Sequence, residues 1–259
     1  MPEPFGEPSA DLARQLRQHL DSLRAAGIHW LPSKPEESSS GVKSLSASLP
    51  SAVPSERVIP ANEDSVEARG RQLIVLAEQV STCQRCTELV VSRSRTVFGI
   101  GPLNPELCFI GEAPGATEDQ RGEPFVGDAG QLLDRIIAAC GMKREEVYIC
   151  NICKCRPPGN RTPLASEAGN CREYLDRQLE LVRPKFLCAL GACAAQNLLG
   201  TSIGIGKLRG RFHDYKGIPV MCTYHPAFLL PTRNPGAKKD VWEDMKKLLE
   251  RMGRTIPKR

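Results

Sequence analysis

The chain lacks any apolar run approaching the roughly 18 residues that a membrane-crossing helix needs, so no transmembrane span is expected. Its first residues, MPEPFGEPSADLARQ, lack the basic stretch and apolar core of a secretory leader, which points to a cytoplasmic setting. It has no internal repeat, which argues against solenoids and propellers. What it does have is 11 cysteines in 259 residues. In a reducing cytosol these are thiols rather than disulfides. Cys108, Cys150, Cys188 and Cys222 sit inside apolar runs, where a free cysteine serves as a small hydrophobe.

Charge is unevenly spread. Residues 1–66 carry six Lys/Arg and nine Asp/Glu, a net −3, within a chain of net +5, so residues 67–259 carry +8. A basic body favours and steers polyanionic partners.

The acidic part divides in two. Residues 8–27 place Leu12, Leu16, Leu20 and Leu23 at helical spacing and end at Gly27, predicting an amphipathic helix within a segment 1–31. That helix either docks a protein partner or packs on the body. Residues 32–66 are rich in Ser and Pro and read as a disordered linker. The body, 67–259, opens with a helix over 67–80. Strand-like runs follow at 106–112, 147–154, 186–190 and 218–224, with helical patterns at 130–140, 164–181, 192–199 and 238–252. Alternating strands and helices predict an α/β fold with a parallel sheet covered on both faces. Gly210 and Gly217 predict a hairpin arm over 208–219. A monomer is expected.

Residues 110–133, IGEAPGATEDQRGEPFVGDAGQLL, follow the first strand run with two Gly-rich turns, a carboxylate cluster and one aromatic, Phe125. Ligands of open α/β sheets bind beyond the carboxyl ends of strands, where this loop falls. Four cysteines bracket it. Cys83-x2-Cys86 is a chelating pair, and Cys155 and Cys171 follow the second strand run. Zinc and an iron–sulfur cubane accept the same four thiolates, and spacing does not separate them.

These motifs, with VYICNICKCRPPGNRTP and TYHPAFLL in the same order, resemble family 4 uracil-DNA glycosylases, the iron–sulfur-containing branch of the uracil-DNA glycosylase superfamily. The resemblance spans roughly residues 70–252. It implies a three-layer αβα sandwich around a four-stranded parallel sheet, and hydrolysis of the N-glycosidic bond of uracil in DNA during base excision repair. It also implies a 4Fe–4S cluster on Cys83, Cys86, Cys155 and Cys171. Matched position by position, Glu112, Phe125, Asn151 and His225 fall on the family's uracil-pocket residues, and Glu118 and Asp119 on its acidic pair.

Each implied role has a physical reason. An enzyme acting on a base extrudes it from the stack. Phe125 offers a stacking face. The Asn151 amide presents donor and acceptor side by side, matching O4 and N3–H of uracil and opposing cytosine. His225 is placed to donate to O2 as the leaving base gains charge. Glu112 is expected near C5, where thymine carries a methyl. In the best-known branch of the superfamily an aspartate occupies the position that is Ala113 here, so Glu118 or Asp119, or backbone groups of the 111–115 turn, are left to orient the attacking water. DNA contacts are expected from Lys154, Arg156 and Arg161 and from Lys207, Arg209 and Arg211, with Leu229 and Leu230 as a wedge. Relatives that trap the sugar covalently carry a histidine in the loop that reads RPPGNRTP here. Two other readings are a glycosylase of broader deaminated-base range and a non-enzymatic iron–sulfur protein that binds nucleic acid.

Overall fold

The computed structural model describes residues 64–230 and 233–257. The helix expected over 8–27 and the linker of 32–66, apart from its last three positions, lie outside the described residues. Helix α1, Val66–Ser81, begins where Ser65 Oγ accepts from Ala68 N at 3.0 Å, which satisfies one free amide of the first turn. Its Leu76 and Val80 pack on Tyr174 and Leu181. A short helix α2, Thr87–Ser92, was not apparent from the sequence.

Five strands follow: β1 (Leu107–Gly111), β2 (Tyr148–Asn151), β3 (Phe186–Leu190), β4 (Phe212–Tyr215) and β5 (Ile218–Thr223). Their order is β2-β1-β3-β5-β4. The four expected strands are parallel, and the arm of 208–219 adds β4 as a fifth, antiparallel edge strand. The reason is local. Lys216 and Gly217 both have positive φ, 50° and 84°, as a two-residue hairpin turn matched to strand twist requires.

Helices α3 (Ala116–Arg121) and α4 (Asp128–Ala139) follow β1; α5 (Ala165–Val182) follows β2. Then come α6 (Gly191–Leu199), α7 (Ile205–Leu208) and, at the end, α8 (Lys238–Arg251). Alternate strand residues feed two cores. Cys108, Ile110 and Cys150 meet Leu175, Leu179 and Leu198 of α5 and α6. Leu107, Phe109 and Ile149 meet Leu133, Ile137, Val241 and Met245 of α4 and α8. Every residue of β1 is buried, as a strand covered on both faces must be. This is the three-layer αβα sandwich. Each large side chain removed from water here contributes about 1.5–3 kcal/mol. None of the helices among the described residues is long and apolar enough to cross a membrane.

The register sets the site. Gly111 pairs with Asn151, Ile110 with Ala189 and Leu190 with Thr223, so four strand ends open on one edge. The second strand stops at Asn151, short of the expected 154, because the chain turns beneath β1: Ile152 N donates to Gly111 O and Cys153 N to Glu112 O.

Candidate functional site

A cavity of about 390 Å³ opens at that edge, walled by Glu112, Ala113, Glu118, Phe125, Asn151, Arg161 and His225 among others. A Cβ at Gly111 would lie 2.4 Å from Asn151 Oδ1 and 2.5 Å from Phe125 Cζ, so only glycine lets the amide and the ring approach the end of β1 this closely. Asn151 is only 2% exposed, and its Oδ1 is buried with no hydrogen-bond partner. A buried acceptor left unpaired costs about 1–3 kcal/mol, so a donor brought by a ligand is favoured there.

Phe125 holds φ at 53°, a strained value for a bulky residue, and two devices hold the turn. Glu118 accepts from Val126 N and Gly127 N at 2.8 Å each through Oε1, and from Gly115 N at 3.1 Å through Oε2. Arg144 donates to Pro124 O at 2.6 Å. A Cβ at Gly130 would sit 2.0 Å from Phe125 O, so only glycine lets α4 pass beneath the turn. The Glu118 carboxylate thus faces three backbone amides rather than standing free for a water. Asp119 is 1% exposed and does not wall the cavity; its carboxylate accepts from Ser94 N at 2.9 Å and Arg95 N at 3.4 Å. A water-orienting role for Asp119 has no geometric support.

The His225 ring lies 5.6 Å from the Phe125 ring, tilted by 31°. His225 Nδ1 accepts from Ala227 N at 3.1 Å, which leaves Nε2 to carry the proton in the neutral ring. Burial, aided by the Arg233 cation and opposed by Glu118, lowers the His225 pKa to about 4. Near neutral pH this is a neutral imidazole that donates from Nε2. Glu112 is half-buried, its carboxyl pKa raised by burial and held partly in check by a hydrogen bond with Thr162. Ala113 adds wall and no functional group.

The basic rim departs from expectation. Lys154 is 1% exposed and turned inward, donating to Gln178 Oε1 at 2.5 Å and Asn151 O at 3.0 Å. Arg209 is bound to Asp244 at 3.0 Å. Both are structural rather than free for DNA. Arg156 is half-buried and donates to Asn160 Oδ1 at 2.7 Å. Arg161 walls the cavity while bridging Glu167 at 2.7 Å and Glu88 at 3.2 Å. Lys207 and Arg211 are exposed on a separate groove that shares no wall residue with the cavity. Leu229 is 1% exposed in the core under α8, and Leu230 packs against the same core, so the leucine pair is not presented as a wedge. The sequence reading missed Asn160, Thr162, Phe228 and Arg233, all on the cavity wall. Their signal was only their nearness to Arg161 and His225 in the chain.

The four bracketing cysteines form a second centre. Cys83 and Cys86 are half-buried, Cys155 and Cys171 buried. Burial pushes Cys155 up to about 11 against the opposing pull of Arg93, with smaller upward contributions from the Cys171 and Cys83 thiols, and the same two thiols act on Cys86. The four therefore share one electrostatic neighbourhood. Arg93 donates to Cys155 Sγ at 2.9 Å and to Cys83 O at 2.7 Å, and Asn170 donates to Cys86 Sγ at 3.4 Å. Such N–H donors suit anionic thiolate ligands. Among the described residues no three Cys, His, Asp or Glu side chains converge as a metal ion needs, and four cysteine thiolates suit zinc and an iron–sulfur cluster alike. Cys153 lies within hydrogen-bond reach of Cys171 and draws its pKa down.

A sequence model of the Uracil DNA glycosylase superfamily matches residues 98–246. The Type-4 uracil-DNA glycosylase of Thermotoga maritima is 41% identical over 175 residues, which span 67% of this chain and 91% of that protein. The Type-4 uracil-DNA glycosylase of Archaeoglobus fulgidus is 39% identical over 190 residues, spanning 70% and 94%. A Type-5 uracil-DNA glycosylase of Pyrobaculum aerophilum is 33% identical over 178 residues, spanning 56% and 78%. The match runs from just before β1 into α8 and takes in every wall of the cavity, and the chain belongs to the Uracil DNA glycosylase superfamily.

Proposed function

We propose that this chain is a DNA repair glycosylase that extrudes uracil from DNA and hydrolyses its N-glycosidic bond, leaving an abasic site. The observation that carries the reading is the buried, unpaired Oδ1 of Asn151 on a cavity wall that it shares with Phe125 and His225. Uracil seats against the Phe125 ring. Its N3–H donates to Asn151 Oδ1 while Asn151 Nδ2 donates to O4. Cytosine presents an acceptor and a donor at those atoms, so the same amide opposes it.

As the C1′–N1 bond breaks, its electron pair stays on uracil and charge grows on O2. Neutral His225 Nε2–H donates to that oxygen, an interaction of about 2.7–4 kcal/mol by analogy with oxyanion-hole donors. Water adds to C1′ and loses a proton to solvent. An oxocarbenium-like centre needs little activation of that water, which accords with a Glu118 carboxylate committed to backbone amides. Glu112, held by Thr162, stands where a thymine methyl would desolvate it. Arg156 and Arg161 take the DNA backbone.

Cys83, Cys86, Cys155 and Cys171 are assigned to a 4Fe–4S cluster, in keeping with four thiols in one neighbourhood and N–H donors on two of them. Bound there, it supplies a cross-link between the segment of α2 and that of α5. Arg161 ties to both, through Glu88 and Glu167.

The test is incubation of the purified protein with an oligonucleotide bearing one uracil, followed by alkali. Strand scission at that position, abolished in Asn151→Ala and His225→Ala, supports the reading. DNA binding without release of base supports the non-enzymatic one. Release of hypoxanthine at a comparable rate supports the broader range.

A further inference from the structure

Helix α3 has no apolar anchor. Of its six residues, ATEDQR, only Asp119 is buried. A helix this short does not hold itself in water, so its place is set by what it binds. Asp119 binds the stretch 93–95. Ser94 N donates to Asp119 Oδ2 at 2.9 Å and to Oδ1 at 3.0 Å, and Arg95 N donates to Oδ1 at 3.4 Å. The Arg95 side chain passes close under the end of the helix, where a Cβ at Gly122 would lie 3.0 Å from Arg95 Cδ.

Each side of this junction leads to a site. Arg93, next to Ser94, donates to Cys155 Sγ at 2.9 Å and to Cys83 O at 2.7 Å, so the stretch is held by cysteines from before and after the cavity loop. Glu118, next to Asp119, holds Gly115 N, Val126 N and Gly127 N, and with them the Phe125 turn. Burying a carboxylate is costly unless it is hydrogen-bonded, and here every bond joins two parts of the chain. Arg93 keeps its charge at any working pH and suits anionic sulfur.

Resting on the uracil-excision reading, we infer that Asp119 is a positioning residue: it fastens α3, and through Glu118 the ring on which the base stacks, to the stretch that Arg93 holds on the thiolate centre. The centre thereby acts on the base site through two hydrogen-bonded junctions rather than through contact with DNA. When either junction loosens, Phe125, strained at φ 53°, relaxes away from its place.

The test compares the protein as purified, Asp119→Asn, Asp119→Ala, Arg93→Met and the double variant Arg93→Met/Asp119→Asn, all at equal metal content. It reads hydrogen exchange over residues 115–127 by mass spectrometry and single-turnover release of uracil. Asp119→Asn should raise exchange over 115–127 about 10-fold, leave β1 and α8 unchanged, and slow release about 10-fold. Asp119→Ala should do more; Asp119→Asn keeps the size and one acceptor, so the comparison stands if Asp119→Ala does not fold. Arg93→Met should act on the same residues in the same direction, and the double variant should be no worse than the more affected single one, as two links of one chain require. Exchange over 115–127 that stays unchanged in the Asp119 variants, or rises equally throughout the protein, or adds in the double variant overturns the inference. No uracil release by the unsubstituted protein overturns the uracil reading and the bearing of Asp119 on excision. Normal release with unchanged exchange overturns this inference alone.

Discussion

Replacing Gly111 with alanine drives one methyl group against both the Asn151 amide and the Phe125 ring. The new Cβ would lie 2.4 Å from Asn151 Oδ1 and 2.5 Å from Phe125 Cζ, well inside van der Waals contact. β1 has no room to retreat: it is buried on both faces and laddered to β2, with Gly111 paired to Asn151. The Phe125 turn is pinned by Glu118 and passes tightly over Gly130. The amide or the ring therefore yields at its tip, by several tenths of an ångström at least. Overpacking of this kind costs about 1–3 kcal/mol of stability, a fall of a few degrees in Tm that leaves the protein folded. The same displacement takes the amide or the ring off the position a bound base needs, and misplacement on the order of 1 Å costs roughly 100-fold in rate. An abasic product has no base to seat, so its affinity should survive. Single-turnover excision, binding to abasic duplex and thermal unfolding separate these effects. Excision by Gly111→Ala within threefold of the unsubstituted protein would refute a role for the placement of this amide and ring.

Three further outcomes are expected. The His225 ring, followed by NMR, should titrate near 4 rather than near the ordinary 6.5, with Nδ1 unprotonated above that. Because the folded state resists a proton that the unfolded chain accepts, the contribution of His225 to stability is full above pH 6.5 and is lost as the pH falls from 6.5 through 4. His225→Gln should flatten that loss, and a midpoint near 6.5 would contradict the account. Glu118→Gln keeps an oxygen for Val126 N and Gly127 N, whereas Glu118→Ala releases all three amides and frees the Phe125 turn; excision should fall less than about 10-fold for Gln and on the order of 100-fold for Ala, as misplacement of about 1 Å costs. Equal losses would restore Glu118 as the group that activates water. Iron content and visible absorbance should vanish on replacing Cys83, Cys86, Cys155 or Cys171 by Ala and persist in Cys153→Ala, although Cys153 touches Cys171; loss of iron in Cys153→Ala would move a ligand.

The fold was legible because its strands are short apolar runs covered on both faces, and because Gly217 marks the turn of the hairpin arm. The site residues were legible through motifs at strand ends, where register gathers them. What stayed hidden was partnership. Lys154 reads as one of a basic pair with Arg156, yet Gln178, 24 residues away, claims it. Glu118 and Asp119 read as a catalytic couple, yet both are answered by backbone amides, which carry no sequence signature. In TYHPAFLL no period tells which apolar side chain turns outward, and a 3-10 turn presents Phe228 and buries Leu229.

The most direct measurement is release of free base from two oligonucleotides that differ only in carrying uracil or cytosine at one position, quantified by mass spectrometry for the unsubstituted protein and Asn151→Ala. The account predicts free uracil and an alkali-labile strand from the first, no base from the second, and loss of uracil release in the variant. No uracil from the unsubstituted protein, or undiminished release by Asn151→Ala, would contradict it.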